Sequence, residues 1–127
     1  MQRDMELIRK ILFAIEDKYV DTWLSSNQIE IAGYDMKTIG YHCAVLRDAG
    51  LVSDYKGQYG NGELLFFGVG RLTWEGHELL DKIKNDTVWN KTKDTIKKTG
   101  IPFVLDVVKD IATAITTAMV QTAINSL

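Results

Sequence analysis

The sequence predicts an α+β fold: a helix, a short strand, a second helix, two strands joined by a tight turn, and helices to the end. Three observations carry this reading. Apolar residues recur at three- and four-residue spacing in 4–17 and again between 73 and 98, which is helical periodicity. Two strand-like runs, Leu51–Lys56 and Glu63–Thr73, flank Asn61-Gly62, a strong hairpin signal. Capping residues and glycines stand where those helices should start and stop.

In chain order, Met5, Ile8, Ile11, Leu12 and Ile15 form the apolar stripe of the first helix, and Asp4 suits its N-cap. Residues 18–27 read as a polar connection, because Ser25, Ser26 and Asn27 disfavour regular structure. Gln28–Ile31 alternates polar and apolar and predicts a short strand ending at Gly33. Asp35 caps a second helix to about Ala49, with Ile39, Cys43 and Leu46 inward and Gly50 as its stop. Gly40 inside that helix costs about 1 kcal/mol relative to alanine. After the hairpin, Thr73 caps a helix bearing Trp74, Leu79, Leu80 and Ile83, and Asp86 caps another through Lys98. Gly100 ends that one, and Pro102 suits the first turn of the last helix.

The chain has 127 residues, 46% hydrophobic and 25% charged. That size can bury a core without a metal or disulfide staple, and the composition excludes disordered, collagen-like and polytopic membrane classes. A formal net charge of -2 gives no global attraction to nucleic acid. Cys43 is the only cysteine, so no internal disulfide forms and a reducing cytoplasm is expected. The N-terminus interleaves charge with apolar residues and reads as no secretory signal. The expected organisation is a domain over 1–85 and a helical extension over 86–127.

The order of elements is that of a winged helix-turn-helix domain with its first motif helix reduced. Residues 37–52, K-T-I-G-Y-H-C-A-V-L-R-D-A-G-L-V, resemble the recognition helix and following strand of bacterial winged-helix repressors. R-L-T-W-E-G-H-E-L-L at 71–80 is similar to the L-T-x-x-G that follows the wing in those proteins. A further resemblance covers nearly the whole chain. M-Q-R-D-M-E-L-I-R-K-I-L at the start, R-L-T-W-E-G-H-E, and D-T-V-W-N-K at 86–91 resemble the domain-of-unknown-function family numbered 2513. That resemblance implies a phage or mobile-element setting and brings no catalytic or binding residue.

In a winged helix the second motif helix enters the major groove and the wing meets the backbone. The candidate DNA contacts are therefore Lys37, Thr38 and Tyr41 on the helix, with Lys56 and Arg71 flanking the hairpin. Against double-stranded DNA stand Asp35 and Asp48 and a turn with no basic residue. The leading expectation is a non-enzymatic DNA-binding or regulatory protein. The alternative is an adaptor that keeps the scaffold and docks a host or phage protein.

No cofactor and no metal are expected. His42 and His77 lack clustered ligands, and the glycines of the hairpin lack the lysine and helix start of a phosphate loop. Adjacent His42 and Cys43 cannot face one another on a helix, so Cys43 reads as a buried small hydrophobe. The lysines between 82 and 98 read as a solvated helix face. Trp23, Trp74 and Trp89 read as packing residues, and any exposed one marks a partner site. Finally, Val104, Val108, Ile111, Ile115 and Ala118 form a stripe expected to pair two copies into a homodimer, the alternative being that it packs back on its own domain. Ile111 to Leu127 is uncharged but too polar and short for a membrane anchor, which needs about 20 apolar residues.

Overall fold

The computed structural model describes residues Met1–Leu127. Its contacts divide into two units, Met1–Glu78 and Leu79–Leu127. The first holds α1 (Met5–Lys18), β1 (Leu24–Ser25), a 3₁₀ turn (Ser26–Gln28), α2 (Met36–Asp48), β2 (Tyr55–Gly60) and β3 (Glu63–Val69). α3 (Trp74–Ile83) begins in the first unit, and the second completes it and adds α4 (Asp86–Thr99) and α5 (Leu105–Asn125). The fold is thus α+β: helices with a three-stranded antiparallel sheet, then C-terminal helices.

α1 buries Met5, Leu7, Ile8, Ile11, Leu12 and Ile15, the stripe its spacing predicts. Asp4 caps it, accepting a hydrogen bond from the Leu7 N–H at 3.2 Å. The same carboxylate accepts the Tyr34 hydroxyl at 2.8 Å. The Asp4 main-chain N–H donates to His42 Nε2 at 2.8 Å, and His42 Nδ1 lies 2.8 Å from the Thr38 carbonyl. Since a main-chain N–H only donates and a carbonyl only accepts, the ring is the neutral tautomer protonated on Nδ1. A histidine only 1% exposed thereby joins the start of α1 to α2.

The strand expected over Gln28–Ile31 lies earlier, at Leu24–Ser25, and those residues form a turn and loop instead. The cause is local hydrogen bonding. The Ser25 N–H donates to the Gln28 side chain at 2.9 Å, and the Ile29 N–H reaches the Ser26 carbonyl. Short polar side chains bend the backbone before a ladder can propagate. Only Ile29 from the expected strand becomes fully buried.

The sheet order is β1-β3-β2. Leu24 pairs with Val69 and Ser25 with Gly68; on the other side Tyr55 pairs with Val69 and Lys56 with Gly68. Asn61 and Gly62 have φ of 53° and 77°, the two positive values that a two-residue hairpin turn with the right twist requires. Gln58 pairs with Phe66 but Tyr59 with Leu64, which leaves Leu65 as a bulge. The regular ladder is shorter than expected and stops at Tyr55 and Val69; beyond it the chains stay joined by the Gly70 N–H to the Asp54 carbonyl, the Ser53 N–H to the Arg71 carbonyl and an isolated Val52–Leu72 bridge. Phe67 and Val69 point inward, joining Ile39, Cys43 and Leu46 of α2 in the core.

Thr73 starts α3 as expected: its hydroxyl accepts from the Gly76 N–H and donates to the Gly50 carbonyl. Gly76 is forced by a close approach, since an added Cβ would strike the Leu51 carbonyl oxygen. That contact gives the glycine of L-T-W-E-G its physical reason.

In the second unit α4 packs on α5, burying Val88, Trp89, Thr92, Ile96, Val108 and Ala112. The cap of α4 is Asn85, not Asp86. Its side chain accepts from the Val88 N–H at 3.1 Å, which leaves Asp86 in the first turn facing the helix dipole. Pro102 lies outside α5, whose N-cap is Val104. The Val104 N–H bonds to the Pro102 carbonyl, so the proline shapes a turn before the helix. No helix is long and apolar enough to cross a membrane.

Gly76→Ala is expected to destabilise the protein by about 2 kcal/mol or more, because a backbone collision outweighs alanine's roughly 1 kcal/mol helix advantage. A lower urea midpoint at unchanged slope would show it; an equal or higher midpoint would disprove the close approach.

A second expectation concerns acid. Burial alone would raise the Asp4 carboxyl, but the Tyr34 hydroxyl and the N–H groups of Leu7 and Glu6 outweigh it and hold it below its ordinary 3.8. Its folded value is lower than its unfolded one. Its stabilisation is therefore full above 3.8 and is lost as pH falls through the folded value. Tyr34→Phe should cost roughly 0.5–1.5 kcal/mol at neutral pH and reduce that acid-dependent loss. Denaturation curves at neutral pH and near pH 3 measure both effects, and identical acid sensitivity in the variant would refute the linkage.

Candidate functional site

The residues expected to touch DNA do not share one surface. Lys37, Thr38 and Tyr41 stand on the first two turns of α2, where Asp35 caps the helix by accepting from the Thr38 N–H at 2.8 Å. Bonds from Thr38, its side chain first, hold the Asp35 carboxyl below the usual carboxylate range. A negative charge therefore stands at the helix end that would approach a phosphate. The Lys37 ammonium lies 3.3 Å from the Glu63 carboxylate at the start of β3. This ion pair spans a groove of about 370 Å³ lined by Tyr41, Ala44, Tyr55, Tyr59, Gly62 and Leu64 as well as the pair itself.

α2 approaches the hairpin closely here. A Cβ on Gly40 would stand 2.8 Å from Leu64 Cδ2 and 3.3 Å from the Tyr55 hydroxyl, so the glycine's helix cost is offset by tight packing. Burial, with the neighbouring Tyr59, Cys43 and the Tyr59 hydrogen bond, pushes the Tyr55 phenol up to about 12. Arg47 lies over the Tyr55 ring, 5.8 Å from its centroid, and pairs with Asp48 at 3.1 Å.

Lys56 is elsewhere. Tyr55 and Gly57 turn toward α2, so alternation puts Lys56 and Gln58 on the opposite face of the sheet. Arg71 uses its guanidinium on the Leu72 carbonyl at 3.1 Å. The structure thus gathers Lys37, Thr38 and Tyr41 on α2 and turns Lys56 to the other face of the sheet, while Arg71 follows β3 with its guanidinium on a main-chain carbonyl.

The opposite sheet face is apolar. Trp23 is 46% exposed and Phe66 55% exposed, and with Lys56, Gln58, Ser25, Phe67 and Gly68 they line a shallow cleft of about 310 Å³. Next to it, sharing Ser25 and Phe66, lies a larger groove of about 1040 Å³. Its walls include the loop from Ile29 to Tyr34, Met36 and the bulged Leu65. Of the three tryptophans, Trp89 is buried and Trp74 is the most exposed. Sequence reasoning missed Glu63 as the partner of Lys37, because the pair joins residues far apart in the chain. It also missed Trp23 and Phe66 as one surface. Alternation from Phe67 could have placed Phe66 outward, but the displaced β1 hid Trp23.

Among the residues expected to pair two copies, Val104 is the N-cap of α5 and Val108 is buried. Ile111 and Ile115 are half-buried and Ala118 is exposed. No cluster of three His, Cys, Asp or Glu could hold a metal. His77 and Glu16 approach to 4.0 Å at the surface.

Comparison with known proteins adds two findings. The family model described as hypothetical protein (DUF2513) matches residues 2–102. An uncharacterized protein of Haemophilus influenzae is 39% identical over 119 residues, covering 94% of this chain and 98% of that protein. No solved structure matches.

Burial on the inner face of α2 pushes the Cys43 thiol up to about 12. It should react with an aromatic disulfide reagent only as fast as the protein opens. Immediate stoichiometric labelling of the native protein would contradict this packing.

Proposed function

This chain belongs to the family of hypothetical proteins DUF2513, and we propose that it is a non-enzymatic adaptor on a winged-helix scaffold, docking a host or phage protein rather than reading duplex DNA. The scaffold reading is supported by the order α1, β1, 3₁₀ turn, α2, β2, β3 and by the sheet order β1-β3-β2. The 3₁₀ turn stands where a full motif would carry its first turn-helix. The phage setting rests on sequence resemblance alone.

The observation that carries the adaptor reading is the Lys37–Glu63 pair. Duplex affinity comes largely from cations neutralising phosphates. On the two turns of α2 that would enter a groove, Lys37 is the sole cation, and the adjoining hairpin supplies it with a carboxylate. Lys56 faces away from α2, and the Arg71 guanidinium is engaged on the Leu72 carbonyl. Exposed Trp23, Leu65 and Phe66 beside a large groove suit a protein partner instead, since aromatic anchors dominate protein interfaces.

Two measurements on the full chain test this. In fluorescence anisotropy, mixed-sequence duplex DNA should show no binding at moderate salt. In cross-linked capture from host lysate, retained protein should be lost on Phe66→Asp and kept on Lys37→Glu. Duplex binding abolished by Lys37→Glu, with capture indifferent to Phe66, would establish the DNA-reading alternative.

A further inference from the structure

We propose that the cleft between Trp23 and Phe66 on the outward sheet face binds a proline-rich segment in polyproline II conformation. The inference rests on the adaptor reading and names the chemistry of its partner.

The cleft is built by one absent side chain. A Cβ on Gly68 would stand 2.9 Å from Trp23 Cε3, so the indole lies across β3 directly over that glycine. Phe66 stands two residues along the same strand and projects from the same face, so its ring and the indole flank one shallow cleft. Exposed aromatic rings about an apolar cleft are the surface on which proline-rich segments dock.

The flanks agree. Register places Lys56 beside Gly68 and Gln58 beside Phe66. The Gln58 amide and the exposed Trp23 indole can donate hydrogen bonds to carbonyls. A polyproline II helix keeps its carbonyls free and solvated and offers almost no donors in return. It is also pre-ordered, so little conformational entropy is lost when it docks on an aromatic surface.

Charge decides between this occupant and a stacked single-stranded nucleic acid, which also uses aromatic platforms. Nucleic-acid platforms lie in positively charged grooves. Lys56 is the only charged residue lining this cleft, and the chain carries a net -2. One cation on an otherwise neutral cleft fits an uncharged peptide with at most one acidic flank.

The test uses the isotope-labelled full chain with decaproline, a glycine-serine peptide of equal length, and oligothymidylate. Decaproline should produce saturable shifts at the Trp23 indole, Gly68 and Gln58, absent with the glycine-serine peptide. Trp23→Ala and Phe66→Ala, both at exposed positions, should each weaken binding about tenfold or more. Absence of shifts at millimolar decaproline, or equal shifts with the control peptide, overturns the proposal. So does oligothymidylate saturating the same resonances in place of decaproline. If decaproline fails while capture of a host protein still depends on Phe66, the peptide chemistry falls and the adaptor reading stands. If both fail, the adaptor reading falls as well.

Discussion

The first unit depends on a single imidazole. His42 accepts from one main-chain N–H and donates to one carbonyl, and those groups belong to the starts of α1 and α2. A buried donor or acceptor left unpaired costs about 1–3 kcal/mol, so the ring fixes how the two helices meet. Asp4 then caps α1 and receives Tyr34, which positions the loop entering α2. With α2 so placed, Gly40 lets the hairpin close against it. Register in the sheet follows, and register decides which of Phe66 and Phe67 faces water.

Much of this was legible in the sequence where the signal is local. The stripe on α1, the Asp4, Asp35 and Thr73 caps, the Gly50 and Gly100 stops and the Asn61-Gly62 turn all depend on residues a few positions apart. The failures share a cause. Period-two alternation in Gln28–Ile31 predicts a strand there, but hydrogen bonds between Ser25 and Gln28 bend the chain and β1 lies earlier. Asn85 and Asp86 are both good caps, and only the fold chooses between them. Pro102 predicts a helix start that the fold delays to Leu105, because a proline fits a first turn and the turn before it equally well.

The candidate site was less legible, because its properties arise between distant segments. Lys37 reads as a free phosphate contact until the hairpin brings Glu63 to it. Lys56 reads as a neighbour of that contact until strand alternation turns it to the other face. Trp23 and Phe66 are unremarkable in isolation, and only the β1–β3 pairing with Gly68 between them makes a surface. On one face of the sheet Lys37 stands beside Glu63, while on the other Trp23 and Phe66 are exposed.

α5 has a consequence for how the chain end behaves in water. Val108 and Ala112 are its buried residues, and from Thr116 onward every side chain is exposed. A helical segment this short, rich in threonine and without tertiary cover, is only marginally stable by itself. Its amides should therefore exchange with solvent by opening of those turns alone, uncoupled from opening of the core. Slow exchange in α5 is expected only in the turns around Val108 and Ala112.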